Sequence, residues 1–249
     1  MEDINTFMNI FRTAPKFIYG YMTTKKLNRI LRTKGNQLHE EGRYEEEKAL
    51  IWAEQKQWIE LVAERLAMTY EVTGEENIPE EGPFMIYSNH QSFADIPAIL
   101  WLMKDHGQIG FVSKEEWRKY KVLYDAVTYT RSIFLARDNP RDAIKAIGEA
   151  KEILGLGFNL AIFPEGTRSK GHQMGEFKPA AFKFAEKAKV PILPVTLDGG
   201  YHLFEETGSY QPCHTKITVH PLVHIENLDK HEQKHVATEI EATIRSALD

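Results

Sequence analysis

The chain has 249 residues, of which 42% are hydrophobic and 27% are charged, and its formal net charge is −5. This length allows one large domain, or one domain with an appendage, and the apolar fraction is sufficient for a core. The negative charge argues against nucleic acid as a partner, and the single cysteine, Cys213, excludes an intrachain disulfide.

The first 38 residues differ in charge from the rest of the chain. They carry a net charge of +5 and many aromatic side chains, but no apolar run reaches the ~18–20 residues needed to span a bilayer. We therefore expect an interfacial, monotopic anchor on the anionic cytoplasmic face of the cell membrane, without a spanning helix. The predicted membrane-binding residues are Phe7, Phe11, Lys16, Phe17, Tyr21, Lys25 and Lys26. The alternative is a soluble helical hairpin whose aromatic residues pack on the rest of the chain.

A long helix is predicted from about residue 42 to residue 70. Its apolar residues, among them Ile51, Trp58, Ile59 and Val62, fall within one sector of the helix. The periodicity does not show what covers this apolar sector. The partner could be the first helix, the rest of the chain, lipid or a second copy of the chain. An acidic stretch with Gly and Pro at 75–83 marks a boundary. We predict a helical membrane-association region at residues 1–71 and a second domain at residues 72–249.

Beyond this boundary, short apolar runs alternate with helical patterns. Strands are predicted at 84–88, 108–113, 132–136, 159–163, 192–197 and 216–220. Helices are predicted at 96–103, 141–154, 179–189 and 230–248. Such alternation indicates an α/β fold, with a mainly parallel mixed sheet covered by helices and an N-terminal two-helix appendage. Functional loops are then expected at the ends of strands.

A histidine and an aspartate follow the strand predicted at 84–88. His90 and Asp95 are five positions apart, which is about 140° on a helix, so they cannot share a helical face. They can meet if His90 lies in the turn after the strand and Asp95 begins the next helix. An imidazole oriented by a carboxylate is a general base with a fixed tautomer.

The same segment has a structural alternative. Residues 92–95 match a capping box, and Asp95 could itself be an N-cap before Pro97, which would leave His90 as an ordinary turn residue. No Gly-x-Ser-x-Gly elbow or other activated nucleophile is present. In the catalytic alternative the attacking oxygen therefore comes from the substrate.

A basic glycine turn follows the strand predicted at 159–163. In this turn Gly166 allows a tight bend, and Thr167, Arg168 and Ser169 present hydroxyl and guanidinium groups. The planar guanidinium of arginine suits a phosphate group. The alternative is a surface turn with a solvated arginine.

Together, these segments resemble the glycerolipid acyltransferase superfamily, most closely the bacterial 1-acyl-sn-glycerol-3-phosphate acyltransferases. The family's first block, Asn-His-x-Ser-x-x-Asp, supplies the catalytic pair and is matched by His90 and Asp95. Its second block, Ile-Phe followed by an arginine, is matched at 133–137, its third, Phe-Pro-Glu-Gly-Thr-Arg-Ser, at 163–169, and its fourth at 190–195.

Three further positions bear on the resemblance. Lys114 occupies the place of a lysine that family members carry after the strand following the first block. Arg131 and Ala180 replace glycines that are usual in the family, so they bear on local backbone shape and acceptor choice.

The resemblance implies a reaction of phospholipid biosynthesis. A fatty acyl group would pass from an acyl carrier protein or coenzyme A thioester to the sn-2 hydroxyl of lysophosphatidic acid, producing phosphatidic acid. No metal, bound cofactor or acyl-enzyme is expected, because the thioester carries the activation. The implied alternatives are glycerol 3-phosphate or another lysophospholipid as acceptor, or a non-catalytic membrane protein that only binds lysophospholipid.

The resemblance also implies roles for particular residues. His90 is the general base, and Asp95 orients it. Lys114, Arg137 and Arg168 hold the acceptor phosphate or steady the oxyanion. The remaining substrate-binding residues are Glu165, which hydrogen-bonds a glycerol hydroxyl, Gly166 and Thr167.

Overall fold

The protein is built around a seven-stranded mixed sheet. A computed structural model describes residues 15–136, 140–229, 232 and 235–248. The strands are β1 (Met68–Thr73), β2 (Met85–Ser88), β3 (Gly110–Lys114), β4 (Ile133–Leu135), β5 (Leu160–Ile162), β6 (Ile192–Asp198) and β7 (Cys213–Val219). Their order across the sheet is β1-β7-β6-β2-β5-β3-β4, and all neighbours are parallel except β6 and β7. The predicted α/β class with a mainly parallel mixed sheet is confirmed.

Helices cover the sheet and precede it. In the described residues they are α1 (Pro15–Ile30), α2 (Asn36–Glu40), α3 (Tyr44–Arg65), α4 (Asp95–Met103), α5 (Lys121–Tyr129), α6 (Pro140–Gly155), α7 (Lys183–Ala188) and α8 (Val236–Arg245). A π-helical turn, Leu31–Gly35, joins α1 to α2. None of the described helices is both long and apolar enough to cross a membrane.

The central strands are buried on both faces, which explains why the sequence shows them as continuous apolar runs. Every residue of β2 and β5 is buried. In β2, Met85 and Tyr87 join the core that also contains residues of α6, α7 and α8, whereas Ile86 joins the core that contains residues of α4. This alternation follows from the two-residue period of a strand.

The N-terminal helices pack on the rest of the protein. Leu27 and Leu31 share a buried cluster with Ile51 of α3, and the indole N–H of Trp58 donates to Thr24 Oγ1 at 3.0 Å. The apolar sector of α3 is therefore covered in part by α1 and in part by the domain itself, where Ile59 lies in the same core as α4.

The predicted C-terminal end of the helix at 42–70 is wrong. Helix α3 stops at Arg65, Ala67 adopts φ +44, and Met68–Thr73 forms edge strand β1, paired in parallel with β7. The boundary predicted between residues 71 and 72 therefore falls within β1. Helix α5 was not predicted, and residues 179–182 form a 3-10 turn that precedes α7. The predicted helix at 230–248 is regular from Val236, and residues 230, 231, 233 and 234 lie outside the described residues.

Candidate active site

The candidate site lies where parallel strands end. Strand β2 ends at Ser88 and leads into His90, β5 leads into Phe163 and the glycine turn, and β6 leads into Gly199. The first two loops are joined directly, since the N–H of Ser169 donates to the carbonyl of His90 at 2.8 Å. The carboxyl ends of parallel strands are where α/β sheets place their ligands.

His90 and Asp95 meet within hydrogen-bond distance. Nδ1 of His90 lies 2.6 Å from Oδ2 of Asp95, and the Asp95 carboxylate is fully buried at the start of α4. The same oxygen accepts the N–H of Ser92 at 2.8 Å, so the carboxylate also fixes the turn that carries the histidine. The N-cap of α4 is Ala94 rather than Asp95. The contacts of a capping box at residues 92–95 are nevertheless present, since Ser92 Oγ also accepts the N–H of Ala94 at 2.7 Å. Asp95 therefore stabilises this turn and contacts His90 at the same time.

The environment of the His90 ring favours its neutral form. The ring stacks on Phe163 with centroids 4.1 Å apart, and its side chain is 18% exposed. Burial lowers the pKa of His90 below its ordinary value, Asp95 opposes that shift, and Arg168 and Lys114 add to it. With Nδ1 engaged by Asp95, Nε2 has no hydrogen-bond partner in the described part of the chain and can accept a proton.

Glu165 holds the backbone of His90. Its Oε1 accepts the N–H of His90 at 2.6 Å, its Oε2 accepts the N–H of Gly175 at 2.8 Å, and the residue is 5% exposed. Burial raises the pKa of Glu165 to about 7. The sequence predicted a hydrogen bond from this residue to a glycerol hydroxyl. In the structure both carboxylate oxygens accept a backbone N–H, so Glu165 contacts the turn that carries His90. The contact with a glycerol hydroxyl stays a prediction.

The glycine turn presents its arginine to a buried carboxylate. Gly166 has φ +75, a left-handed conformation that glycine adopts without strain, and Thr167 is exposed. The guanidinium of Arg168 donates from Nη1 to Oε1 of Glu205 at 2.9 Å and lies 3.5 Å from the centroid of the Phe93 ring. Arg168 is therefore a buried, paired cation and not the solvated arginine of the structural alternative.

The other predicted substrate-binding cations have different outcomes. Lys114 is the last residue of β3, is partly buried, and lies close enough to lower the pKa of His90. Arg137 lies outside the described residues, as do Phe7 and Phe11 of the predicted membrane segment. The side chains of Lys16 and Phe17 are also outside the described part.

Two side-chain amides, Asn89 and Gln91, hydrogen-bond the turn that carries His90 to β6 and the residue after it. The sequence analysis did not single them out. The side chain of Asn89 forms two hydrogen bonds of 2.8 Å with the backbone of Leu197, one to its carbonyl and one from its N–H. Gln91 Oε1 accepts the N–H of Gly199 at 3.1 Å, and its Nε2 donates to Asp198 at 3.1 Å. The signal for Asn89 was its place as the first residue of the family's first block, and the signal for Gln91 was its place next to His90.

Among the described residues, the arrangement offers an imidazole that can accept a proton, and its one cysteine is not a nucleophile. Burial raises the pKa of the Cys213 thiol to about 11, so this cysteine is not an activated thiolate. A neutral imidazole with its orienting carboxylate, flanked by Lys114 and Arg168, suits deprotonation of a substrate alcohol that carries an anionic group.

Comparisons with known proteins identify the family. A family model described as Acyltransferase matches residues 69–198. The chain is 36% identical over 130 residues to the chloroplastic 1-acyl-sn-glycerol-3-phosphate acyltransferase of Brassica napus, which covers 52% of this chain and 37% of that protein. It is 30% identical over 176 residues to the 1-acyl-sn-glycerol-3-phosphate acyltransferase of Pseudomonas aeruginosa, covering 70% of this chain and 66% of that protein.

A solved structure is similar over nearly the whole chain. The crystal structure of the 1-acyl-sn-glycerophosphate (LPA) acyltransferase, PlsC, from Thermotoga maritima matches with a TM-score of 0.70 and 26% sequence identity. The match covers 94% of this chain and 96% of that chain. By contrast, the chain spans less than half the length of the chloroplastic relatives from Brassica napus and Arabidopsis thaliana.

Proposed function

The chain belongs to the acyltransferase family, and we propose that it transfers a fatty acyl group from a thioester to the 2-hydroxyl of 1-acylglycerol 3-phosphate, producing phosphatidic acid. The acyl donor is a thioester of acyl carrier protein or coenzyme A. The observation that carries the proposal is the 2.6 Å contact between His90 Nδ1 and Asp95 Oδ2. The names of the relatives from Brassica napus and Pseudomonas aeruginosa support this acceptor.

The proposed reaction is a direct transfer. Nε2 of His90 takes the proton of the 2-hydroxyl as its oxygen attacks the thioester carbonyl carbon. The tetrahedral intermediate then breaks its carbon–sulfur bond, and the imidazolium returns the proton to the leaving thiolate. The buried carboxylate of Asp95 stabilises the imidazolium between these steps. No acyl-enzyme forms, because the acceptor oxygen itself is the nucleophile.

The acceptor phosphate is held by cations around His90. Arg168 follows β5 and Lys114 is the last residue of β3. Both therefore lie at the carboxyl ends of the parallel strands, where His90 also lies. Both side chains lower the pKa of His90, which supports their placement near the base. Arg137 is proposed as a third cation from its match to the second block of the family.

The N-terminal helix is proposed to lie on an anionic membrane surface. Leu27 and Leu31 face the protein, whereas Ile18 and Met22 are 52% and 58% exposed. Tyr21, Lys25 and Lys26 are also exposed. An apolar surface bordered by lysines suits the boundary between headgroups and acyl chains. Because the proposed acceptor is a membrane amphiphile, this location brings the site to its substrate.

An acceptor panel tests the proposed function. The full chain is supplied with one acyl thioester and with 1-acylglycerol 3-phosphate, glycerol 3-phosphate, lysophosphatidylcholine or 1-monoacylglycerol, and the free thiol and the lipid product are measured. We expect thiol release with stoichiometric phosphatidic acid for 1-acylglycerol 3-phosphate alone. Thiol release that does not depend on 1-acylglycerol 3-phosphate contradicts the proposal. So does a protein that binds 1-acylglycerol 3-phosphate but does not acylate it with any thioester.

A further inference from the structure

A buried ion pair joins the glycine turn to a loop that follows β6. Arg168 and Glu205 are 5% and 2% exposed at their side chains, and their Nη1 and Oε1 atoms lie 2.9 Å apart. The same oxygen of Glu205 accepts the N–H of Phe93 at 2.9 Å, and the Phe93 ring lies beneath the guanidinium. Glu205 thus holds the guanidinium of Arg168 in place. Arg168 is the residue that the proposed function gives as a ligand of the acceptor phosphate.

The other oxygen of Glu205 is buried without a hydrogen-bond partner in the described part of the chain. The charged and titratable groups that face Glu205 are Arg168 from the loop after β5, Asp95 from α4, and the Cys213 thiol from β7. Of these three groups, only Arg168 is a cation. Burial raises the pKa of Glu205 to about 7, although Arg168 acts in the opposite direction.

A phosphate that binds Arg168 competes with Glu205 for the same buried cation. The guanidinium is almost wholly buried, and one of its nitrogens already donates to Glu205. A phosphate that docks on it must share or replace the carboxylate. Two anions on one buried cation repel each other.

We propose that Glu205 is a positioning residue that holds Arg168 until the acceptor phosphate arrives, and that Glu205 takes up a proton as the phosphate replaces it. This inference rests on the proposed phosphate acceptor. The guanidinium keeps its charge and its N–H groups donate to the phosphate oxygens, while one proton from solvent binds the Glu205 carboxylate. No covalent bond to carbon changes in this step.

Two substitutions separate the charge of Glu205 from its hydrogen bonds. Glu205→Gln retains an oxygen that accepts from Phe93 and Arg168 but removes the negative charge, so the variant mimics the protonated residue at every pH. At pH 8.5 we expect it to bind the acceptor about 3- to 10-fold more tightly than the wild type, with the two proteins converging at pH 6. Glu205→Ala removes the oxygen that accepts from Nη1 of Arg168, so the guanidinium is held less firmly and we expect weaker binding at both pH values.

The test is calorimetric binding of a short-chain 1-acylglycerol 3-phosphate to the full chain without thioester, at pH 6 and pH 8.5. Repeating the titration at pH 8.5 in two buffers of different ionisation enthalpy measures the protons taken up on binding. We expect proton uptake by the wild type that is absent from Glu205→Gln. The matched control is Glu206→Gln, which changes the neighbouring, exposed glutamate that pairs with His202. This control should behave as the wild type does.

The inference is overturned if the affinities of the wild type and Glu205→Gln run parallel between pH 6 and pH 8.5. It is also overturned if the wild type binds without proton uptake, a measurement that does not depend on how any variant folds. With a thioester present, the KM for the acceptor should follow the binding constants while kcat stays within about twofold. If the acceptor binds with the predicted proton uptake but is never acylated, the proposed function fails and the role of Glu205 stands.

Discussion

The carboxylate of Glu165 accepts the backbone N–H of His90 at 2.6 Å, so the glycine turn after β5 positions the histidine after β2. The contact joins residues 75 positions apart in the chain. Since the other oxygen of Glu165 accepts the N–H of Gly175, one side chain ties three segments together.

Glu165→Gln tests this positioning role. At pH 8 the ionised carboxylate accepts both N–H groups, whereas an amide can accept only one of them and places its NH₂ against the other donor. We expect kcat to fall about tenfold with an unchanged KM for the acceptor, and the free energy of unfolding to fall by about 1–3 kcal/mol. Glu176→Gln, at an exposed glutamate of the same loop, is the control. Equal losses in both variants would argue against a specific contact with His90.

Arg168→Ala tests the phosphate contact. Loss of a charged hydrogen bond of ~1.5–3 kcal/mol should raise the KM for 1-acylglycerol 3-phosphate by about 10- to 150-fold, with a small effect on kcat. The substitution also leaves the buried Glu205 without its cation, so it is made in the Glu205→Gln background as well. A large loss of kcat at saturating acceptor, with KM unchanged in both backgrounds, would contradict the phosphate-holding role.

Arg131 explains one departure from the family pattern. It has φ +57, the left-handed region in which glycine is usual, and its guanidinium pairs with the fully buried carboxylate of Glu47 on α3. His39 approaches the other oxygen of Glu47 at 2.8 Å. The arginine therefore ties the entry to β4 to the N-terminal helices, at the cost of backbone strain.

Arg131→Gly should consequently destabilise the protein, although it relieves the strain. Removing one partner of a buried ion pair costs about 3–5 kcal/mol, and the relaxed backbone offsets about 1 kcal/mol of that loss. We expect a net decrease of about 2–4 kcal/mol in the free energy of unfolding, measured by urea titration. The double variant Arg131→Gly with Glu47→Gln should regain part of this loss. A single variant as stable as the wild type would show that the ion pair contributes nothing.

The exposed apolar face of α1 is tested on vesicles. Replacing Ile18 and Met22 with serine should weaken binding of the full chain to anionic vesicles by about tenfold, because the apolar side chains no longer enter the interface. Ile144→Ser is the matched control, since this isoleucine is 70% exposed on α6. If the control loses as much binding as the double variant, α1 is not the membrane-facing helix.

Much of the sheet could be predicted because its central strands are buried on both faces, as the apolar run of β2 illustrates. The contact between His90 and Asp95 was also accessible, since it depends on one turn between a strand and a helix. Strand β1 was missed because it lies at the end of the sheet and only its first residue, Met68, is buried, so it lacks the continuous apolar run of the central strands. The contacts of Glu165 and Glu205 could not be predicted from the sequence. Their partners are backbone N–H groups and a distant arginine, which no local pattern specifies.

The central claim is that His90, oriented by Asp95, removes the proton of the acceptor alcohol. The most direct test is kcat for acyl transfer to 1-acylglycerol 3-phosphate by His90→Ala, with folding checked by circular dichroism. The surface variant His224→Ala serves as the control, because that histidine pairs with Glu226 away from the dyad. We predict a fall of about 10²–10⁴ in kcat for His90→Ala and none for His224→Ala. A folded His90→Ala protein that keeps more than a few per cent of the wild-type kcat would contradict the account.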